Sequence, residues 1–562
     1  MPGSIGARAS LAAIGAAGWA SIAAAQIVPD AGTQLRQLEP PTLTLPRKPP
    51  PGVDVEAPAR PALQPAPSVR FVLKAFHISG STVFAEAELQ ALVREYVGRE
   101  VGIAELGDAI GRITGLYSDR GYPLATAYLP AQDITGGVVE ILVLEGRYGS
   151  IHLLNRARID DSAAARYVES LQGQVVEGAT LERKILLLQE LPGSAPGRAI
   201  LSPGQAIGET DLRLELEPGQ TIGGAIELDN YGSYFTGAAR LSAQLDLYSP
   251  LKLGDWFSVR ATKGFSGLEY ARAAYELPLG GDGFKLGAAY SHVDYRLGKS
   301  FSALDASGDA DTVSLHASYP LIRSRTHNLY GKLIAERKDL QDRVNATSTV
   351  SDRSSTTGTL ALNGDYFDSL GGGAASAYFV TYTGGTLRID TPAIKAIDDA
   401  TARTSGSFNR WNAGYVRLQG LTERASLYVS VFAQKAGKNL DSSEKMFLGG
   451  IGGVRAYPQG EAPGDTGYVA SAELRYAFNF AALPGAWQAS AFLDSGEVKI
   501  NEDPFIAASN RRRLSGGGLG LEWSQPRDFS VRFSVAQRIG NARATSGPDY
   551  HTRGWLQAIK YF

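Results

Sequence analysis

The sequence predicts two small α+β modules followed by an all-β transmembrane barrel, and three observations support this order. After the N-terminal segment no apolar stretch is long enough for a membrane-spanning helix, so a mature chain that spans a membrane must do so with strands. Helical and strand patterns alternate between residues 69 and 218. Residues 219–562 instead repeat short two-residue alternation interrupted by Gly, Asp, Asn and Ser, which is typical of antiparallel strands.

The composition excludes several classes of function. The chain has 562 residues, 20% of them charged, and a formal net charge of -2, so nucleic acid is not an expected partner. It contains no cysteine, which rules out disulfides, thiolate zinc sites and cysteine nucleophiles. We find no H-E-x-x-H, G-x-S-x-G or GxxxxGK[ST] pattern and therefore expect neither an enzyme nor a cofactor. Asp305, Asp309 and Asp311, in a predicted loop, lack calcium-loop spacing, so no metal site is expected.

The N-terminal 39 residues contain two predicted elements. Residues 1–25 have an early arginine, an apolar run of small residues and three final alanines, a pattern that predicts a signal peptide. Residues 26–39 follow as a candidate helix, with Asp30 as N-cap and with Leu35 and Leu38 three residues apart. Because an isolated helix of this length is marginal in water, it would need a cavity or surface to pack against. A disordered tail with two leucines is the alternative.

A proline-rich linker and the two modules come next. Residues 40–68 include ten prolines, a composition typical of an extended tether. Residues 69–146 show the order strand, helix, helix, strand, strand, and residues 147–218 repeat it. The three-stranded sheet of such a module has an exposed edge that can pair with another extended chain. Simple spacer domains are the alternative.

The connections in the final segment distinguish a membrane barrel from a soluble sandwich. Read back from the C-terminus, the predicted strands are residues 553–562, 529–538, 513–523, 487–498, 468–480 and 426–435. The gaps between them are long, short, long, short and long in turn, as expected for outside loops and periplasmic turns of an outer-membrane barrel. The segment has room for an even number of strands, roughly 12 to 18.

The longest gap, residues 436–467, is rich in glycine and carries a single arginine, Arg455. Glycine permits tight turns and close approach to a wall, so this loop could fold into the barrel. Phe492, Asp494 and Gly496 share one face of a later strand, and that face is the lumen if the opposite one contacts lipid. An inward Asp494 could then pair with Arg455. A solvated arginine beside a water-filled channel is the alternative.

These stretches resemble a known protein family. The sequence VRAY at residues 454–457 resembles the VRGY motif in the sixth outside loop of the two-partner secretion transporters. These are the TpsB proteins, haemolysin secretion/activation proteins like FhaC, ShlB and HecB, within the BamA-like superfamily. The sequence FLDSG at residues 492–496 resembles their F-x-D-x-G strand motif. The resemblance covers almost the whole chain.

The resemblance implies a detailed architecture. It implies a plug helix at residues 26–39, two POTRA domains at residues 69–146 and 147–218, and a barrel of 16 antiparallel strands at residues 219–562. The loop 436–467 would be folded inward between strands 11 and 12. Arg455 would anchor this loop to Asp494.

The resemblance also implies a function. The POTRA domains would recognise an unfolded TpsA-type exoprotein, an adhesin or haemolysin, in the periplasm. The barrel would be a monomer in the lipid of the bacterial outer membrane and would pass the exoprotein to the cell surface without ATP. Which exoprotein is carried, whether it is also activated and where the plug helix rests are left open by the sequence.

One position departs from the family motif. Val454, Arg455 and Tyr457 match it, whereas Ala456 stands where the family has glycine. If that position requires a positive φ, alanine would add strain. Two other functions also remain open: an outer-membrane protein insertase of the BamA type and a passive, porin-like barrel.

Overall fold

The computed structural model describes residues 28–39, 43–46, 54–55, 70–134, 136–480 and 483–562. The predicted signal peptide and most of the proline-rich linker lie outside these residues. In the part of the chain that is described, no helix is both long and apolar enough to cross a membrane.

The first module, which follows helix α1 (Ala31–Leu38) and strand β1 (Asp54–Val55), packs two helices on a small sheet. Its strands are β2 (Phe71–Val72), β3 (Ala75–Ser79), β4 (Glu100–Val101), β5 (Thr126–Tyr128) and β6 (Val138–Leu144), and its helices are α2 (Glu86–Val93) and α3 (Ile103–Asp119). The main sheet has the order β3-β6-β5. Because Leu106, Ile110, Ile113 and Tyr117 recur at helical spacing, α3 buries one face against this sheet.

A buried carboxylate joins the elements of the first module. Glu145 accepts hydrogen bonds from the amides of Thr82 (2.6 Å) and Val83 (2.8 Å) and from the hydroxyl of Tyr117 (2.9 Å). Burial alone would raise the pKa of Glu145, but the hydrogen bonds from Thr82, Val83 and Tyr117 outweigh it and lower that pKa. Glu145 therefore stabilises the folded state fully at pH values above 4.5, the ordinary pKa of a glutamate. This stabilisation is lost as the pH falls through the lower pKa that Glu145 has in the folded protein.

Replacement of Glu145 by glutamine is expected to loosen the first module. The substitution removes the charge that strengthens the hydrogen bonds from two amides. We therefore expect the free energy of local opening at these amides to fall by about 2 kcal/mol at pH 7. Hydrogen exchange of the Thr82 and Val83 amides in the purified full-length protein measures this loss. Glu140→Gln, on the exposed face of β6, is the matched control. Equal protection in both variants would contradict the prediction.

The second module repeats the order of the first, but its sheet has a fourth strand. Its elements are β7 (Arg147–Asn155), α4 (Asp161–Ala165), α5 (Gly178–Gln189), β8 (Ser194–Pro203) and β9 (Glu209–Pro218). The sheet order is β1-β8-β9-β7, in which the linker strand β1 pairs in parallel with Ile200 and Leu201. The expected exposed edge at β8 is thus occupied by the chain's own linker, because an extended segment satisfies the unpaired backbone groups of an edge strand.

Helix α5 attaches the second module to the periplasmic turns of the barrel. Lys184 on α5 binds Asp282 at 2.7 Å, and Arg183 donates to the carbonyl of Pro320 at 2.6 Å. The side chain of Lys184 is 9% exposed and that of Asp282 is 68% exposed, so only the cation of this pair is shielded from water. These contacts fix the second module directly below the barrel.

The third part of the chain is a closed antiparallel barrel of 16 strands, which confirms the predicted fold class. The strands are β10 (Ile222–Asp229), β11 (Arg240–Tyr248), β12 (Trp256–Gly264), β13 (Leu268–Leu279), β14 (Phe284–Arg296), β15 (Ala306–Arg323), β16 (His327–Val344), β17 (Thr349–Asp368), β18 (Ala374–Ile389), β19 (Gly406–Gly420), β20 (Ala425–Ala436), β23 (Thr466–Phe478), β24 (Ala486–Lys499), β25 (Arg511–Gln525), β26 (Phe529–Arg538) and β27 (Thr552–Tyr561). Two-residue strands β21 (Met446–Phe447) and β22 (Pro463–Gly464) lie in the loop between β20 and β23.

The two faces of the barrel wall follow the alternation in the sequence. On β23, Tyr468, Leu474 and Tyr476 are 44–51% exposed and face lipid, whereas Ser471 and Glu473 face the lumen. The loop 437–465 lies between the eleventh and twelfth strands, as expected from the resemblance.

Two features of the outer side differ from the sequence expectation. Asp309 and Asp311 lie on β15 and pair with Arg343 and His292, rather than in a loop. The pattern on this strand was hidden by its polar outward residues, because the strand continues beyond the lipid. The long connection between β18 and β19 contains a helix, α6 (Pro392–Ala400).

Candidate functional site: a loop and a helix inside the barrel

The loop 437–465 folds into the barrel instead of extending into solvent. Its residues Leu448 and Val454 are fully buried, and Tyr457 is 1% exposed. They form an apolar cluster with inward residues of the wall, among them Val469 and Phe492. This packing holds the VRAY segment against the strands β23 to β27.

Arg455 and Asp494, which the sequence analysis paired, are in direct contact. The Nε and Nη2 atoms of Arg455 donate to the two carboxylate oxygens of Asp494 at 2.9 and 2.8 Å. The backbone amide of Arg455 also donates to Asp494, at 3.0 Å. The Asp494 side chain is fully buried and that of Arg455 is 12% exposed, so the two-pronged pair is shielded from water.

The guanidinium of Arg455 has three more partners on the barrel wall. Its Nη1 donates to Glu473 at 2.8 Å, and its Nη2 donates to Ser471 at 3.0 Å. The ring of Phe492 lies 3.3 Å from the guanidinium carbon, in a cation–π contact. The sequence analysis did not identify Ser471 and Glu473 as partners of Arg455, because nothing in the sequence indicates which inward residues the loop reaches.

Two contacts connect the VRAY segment to the C-terminal end of the barrel. The indole Nε1 of Trp555, on β27, donates to the backbone carbonyl of Arg455 at 2.7 Å. The hydroxyl of Tyr457 donates to the carbonyl of Ala542 in the last outer loop at 3.0 Å. Sequence reasoning missed Trp555, because a tryptophan on the final strand gives no signal of contact with a residue 100 positions earlier.

Gly496 and Ala456 occupy places where little space is available. A Cβ on Gly496 would lie 2.7 Å from the carbonyl oxygen of Tyr468, so only glycine fits there without a shift. Ala456 is not among the described residues with positive φ, and the strain considered for alanine at this motif position therefore does not arise. Instead, its methyl group lies over Gly516 of β25, where an added Cβ would be 2.6 Å from the Ala456 Cβ.

The contact between Ala456 and Gly516 predicts a mutational rescue. Gly516→Ala is expected to displace the VRAY segment and lower the free energy of unfolding by about 1–3 kcal/mol, the usual range for overpacking. Adding Ala456→Gly removes the clashing methyl group and should recover most of that loss. Thermal unfolding of the purified barrel measures both effects, with Gly554→Ala as the control, because open space surrounds that glycine. Failure of Ala456→Gly to restore stability would contradict the prediction.

Helix α1 also lies inside the barrel. The side chain of Asp30 accepts the amide of Thr33 at 2.9 Å, so Asp30 is the N-cap as predicted from the sequence. Leu35 is 4% exposed and packs with Phe235, and Leu38 borders the same cluster on the lumen wall. An amphipathic helix too short to be stable in water is thus supported by the barrel interior.

One arginine holds the N-terminal end of α1. Arg353, on β17, donates to Asp30 at 2.9 Å and also pairs with Asp342 on β16 and Asp441 in the inward loop, each at 2.5 Å. The amide of Ala31 donates to Asp342 at 2.8 Å. Because one guanidinium faces three carboxylates, its loss would leave three like charges close together.

The helix and the loop contact each other directly. Asp30 accepts a hydrogen bond from the hydroxyl of Ser442 at 2.6 Å, and Arg36 donates to the carbonyl of Lys445 at 3.4 Å. Gly32 is required at this contact, because a Cβ there would lie 2.7 Å from the amide nitrogen of Ser443. Removal of either element would therefore take contacts away from the other.

A cavity of about 530 Å³ lies beside α1 and the loop inside the barrel. Its lining includes Arg36 of the helix, Arg455 of the loop, and Glu473, Arg475 and Glu522 of the wall. A barrel of 16 strands is wide enough for an aqueous channel, so α1 and the loop occupy space that would otherwise be part of one.

Comparisons with known proteins agree with this architecture. The family described as haemolysin secretion/activation protein ShlB/FhaC/HecB matches residues 208–523, and the ShlB-type POTRA domain matches residues 71–146. The heme/hemopexin transporter protein HuxB of Haemophilus influenzae is 27% identical, with 84% of each chain covered. The outer membrane transporter CdiB of Dickeya dadantii is 26% identical, over 87% of this chain and 84% of its own.

Solved structures show the same fold. CdiB from Escherichia coli superposes with a TM-score of 0.72 at 23% identity, over 90% of this chain and 93% of its own. CdiB from Acinetobacter baumannii gives a TM-score of 0.68 at 17% identity, over 95% and 100%. The first module is a POTRA domain, and the prediction of an outer-membrane barrel with a periplasmic POTRA module is confirmed. The chain belongs to the ShlB/FhaC/HecB family, the outer-membrane transporters of two-partner secretion, which consists of transporters and secretion proteins rather than enzymes.

Proposed function

We propose that this transporter passes one large, unfolded exoprotein through the lumen of its barrel without ATP. The observation that carries the proposal is that α1 and the loop 437–465 occupy a lumen wide enough for an aqueous channel. Both elements are held by ion pairs and hydrogen bonds in addition to apolar packing, and water can replace these polar contacts when the elements move. An extended chain could enter the lumen once α1 leaves it.

The periplasmic modules would receive the exoprotein first. We assign the first contact to the POTRA domain, where β5 is one of the two edge strands of the sheet β3-β6-β5. An extended segment of the exoprotein can add to such an edge through backbone hydrogen bonds, which do not depend on its side chains. The corresponding edge of the second module, β8, already pairs with the linker strand β1.

In this proposal α1 is the plug, and the pair Arg455–Asp494 keeps the loop in the arrangement needed for transport. The plug would leave by breaking the contacts of Asp30, while Leu35 and Leu38 leave the wall. Folding of the exoprotein at the cell surface would make its passage irreversible, so no nucleotide is needed.

Reconstitution tests this proposal directly. The purified transporter is placed in liposomes, and the unfolded N-terminal part of a TpsA-type exoprotein is added on the POTRA side without nucleotide. We expect the added protein to become resistant to external protease. A requirement for ATP, or no protection at all, would contradict the proposal. Assembly of an unfolded outer-membrane barrel by the same liposomes would instead indicate an insertase.

A further inference from the structure

Four cations face outward near the outer rim of the barrel on three strands close to its C-terminus. Their direction follows from the two-residue period, because Val431, Leu493 and Leu519 lie on the same faces of β20, β24 and β25 and are 38–67% exposed to the lipid side. We call these four residues the outer basic patch: Lys435, Lys499, Arg511 and Arg513.

The members of the patch are neighbours. Lys435 and Lys499 both bind the same oxygen of Glu502, at 2.7 and 3.2 Å. Lys499 lies directly opposite Arg511 in the pairing of β24 with β25. The three cations therefore form one continuous surface across the rim.

The patch carries an excess of positive charge. Arg511 binds Glu497 at 3.0 Å, whereas the side chain of Arg513, which lies opposite Glu497, makes no ion pair or hydrogen bond with any residue that the structure describes. The side chain of Arg511 is 75% exposed and that of Lys435 is 62% exposed. The four cations are balanced by two carboxylates, Glu497 and Glu502, so the patch has a net charge of two positive units.

The position of the patch coincides with the lipid headgroups of the outer leaflet. Trp487 and Trp523 stack with centroids 5.4 Å apart at the periplasmic ends of β24 and β25, where an aromatic girdle marks the inner edge of the apolar band. Arg513 is ten residues beyond Trp523 on β25. At ~3.3 Å per residue and a tilt of ~40°, this separation is about 25 Å along the membrane normal, the height of the apolar band.

We propose that the outer basic patch binds the phosphates of a glycolipid of the outer leaflet, the lipid A part of lipopolysaccharide. Cations at the edge of an apolar band attract anionic headgroups, and a guanidinium suits phosphate because it can donate two parallel hydrogen bonds. Directly below the patch, Leu493 and Leu519 offer exposed apolar surface to the acyl chains.

Outward cations elsewhere on the rim provide a comparison. Lys263 binds Glu269 at 2.7 Å, and Arg337 binds Asp339 at 2.9 Å. Arg388 lies 3.8 Å from Asp390. Each of these cations has its own carboxylate and leaves no positive charge over, so they serve as a matched control.

Native mass spectrometry of the lipid-stripped, full-length protein in detergent tests the proposal, with diphosphorylated lipid A as the probe. The variant Lys435→Gln/Arg511→Gln/Arg513→Gln should bind it about 10-fold more weakly or worse. The control variant Lys263→Gln/Arg337→Gln/Arg388→Gln should stay within about 2-fold of wild type. Thermal unfolding of both variants identifies any loss of folding. Equal binding by the two variants would overturn the proposal.

Two further probes separate headgroup recognition from other causes. Dephosphorylated lipid A should bind the wild type as weakly as diphosphorylated lipid A binds the patch variant. Inorganic pyrophosphate alone should not displace lipid A at equal concentration, because it lacks acyl chains to lie on Leu493 and Leu519. If dephosphorylated lipid A binds as tightly as the phosphorylated form, the patch is not a phosphate site and the proposal fails.

Discussion

Arg455→Ala and Asp494→Ala are each expected to stop secretion of the partner exoprotein while the barrel still inserts into the outer membrane. Each change leaves the other charge buried without its principal partner, which costs about 3–5 kcal/mol at such sites. We expect the loop to lose its inward arrangement, whereas the backbone hydrogen bonds of the 16-stranded barrel are unaffected. Exoprotein in the medium and heat-modifiable barrel in the outer membrane are the two measurements.

Arg455→Lys separates charge from geometry at the same site. Lysine keeps the positive charge, but it cannot donate simultaneously to both oxygens of Asp494, to Glu473 and to Ser471 as the guanidinium does. We therefore expect secretion between that of wild type and that of Arg455→Ala. The control is Arg388→Ala, since that side chain is 76% exposed on the outer face. Wild-type secretion by Arg455→Ala would contradict the role proposed for the loop.

Exchange of the two charges should restore little secretion. In the variant Arg455→Asp/Asp494→Arg, the new aspartate would lie where the guanidinium now meets Glu473, so two carboxylates would repel each other. The backbone amide of residue 455 would also face an arginine instead of a carboxylate. Adding Glu473→Gln to the exchanged pair should improve secretion relative to the exchange alone.

Arg353→Ala is expected to open the barrel. Without this arginine, Asp30, Asp342 and Asp441 repel one another, and α1 loses the ion pair at its N-cap. The helix is only eight residues long and has little stability of its own, so we expect it to leave the lumen. Single-channel conductance in planar bilayers should rise, and cells should become sensitive to antibiotics too large for porins.

Two variants test whether the opening comes from α1. Deletion of residues 28–39 should give the same conductance as Arg353→Ala, and combining the two changes should add little. Arg272→Ala is the control, because the contact of Arg272 with the other end of the helix is weak: its Nε lies 4.0 Å from a carboxylate oxygen of Glu39. If Arg353→Ala leaves the conductance at the wild-type level, Arg353 does not retain the plug.

Short-range patterns were sufficient to predict much of the site. The two-residue period on β23 and β24 separated the lumen face from the lipid face, and it placed Asp494 inside. The single arginine of the longest loop was then one candidate partner for Asp494, and the resemblance to the transporter family favoured this pairing over a solvated arginine. Asp30 was recognised as an N-cap because capping depends on residues only three positions apart.

Contacts between distant segments could not be predicted in this way. Asp30 and Arg353 are 323 residues apart, and Trp555 and Arg455 are 100 apart. Their meeting depends on the number of strands, their register and the closure of the barrel, none of which is specified by the residues themselves. The pairing of β1 with β8 was missed for a related reason, since a proline-rich composition hides a two-residue strand that exists only where an edge is available.

Local sequence patterns specify the order of the parts, the alternating faces of the strands and the residue types at the loop and helix. These follow from local backbone geometry and from the period of the apolar residues. The closed barrel is needed to show that one arginine on β17 meets the helix, the wall and the loop together, and that four outward cations form a single patch at the rim. Barrel closure brings side chains from distant strands to the same height, and that juxtaposition has no counterpart along the chain.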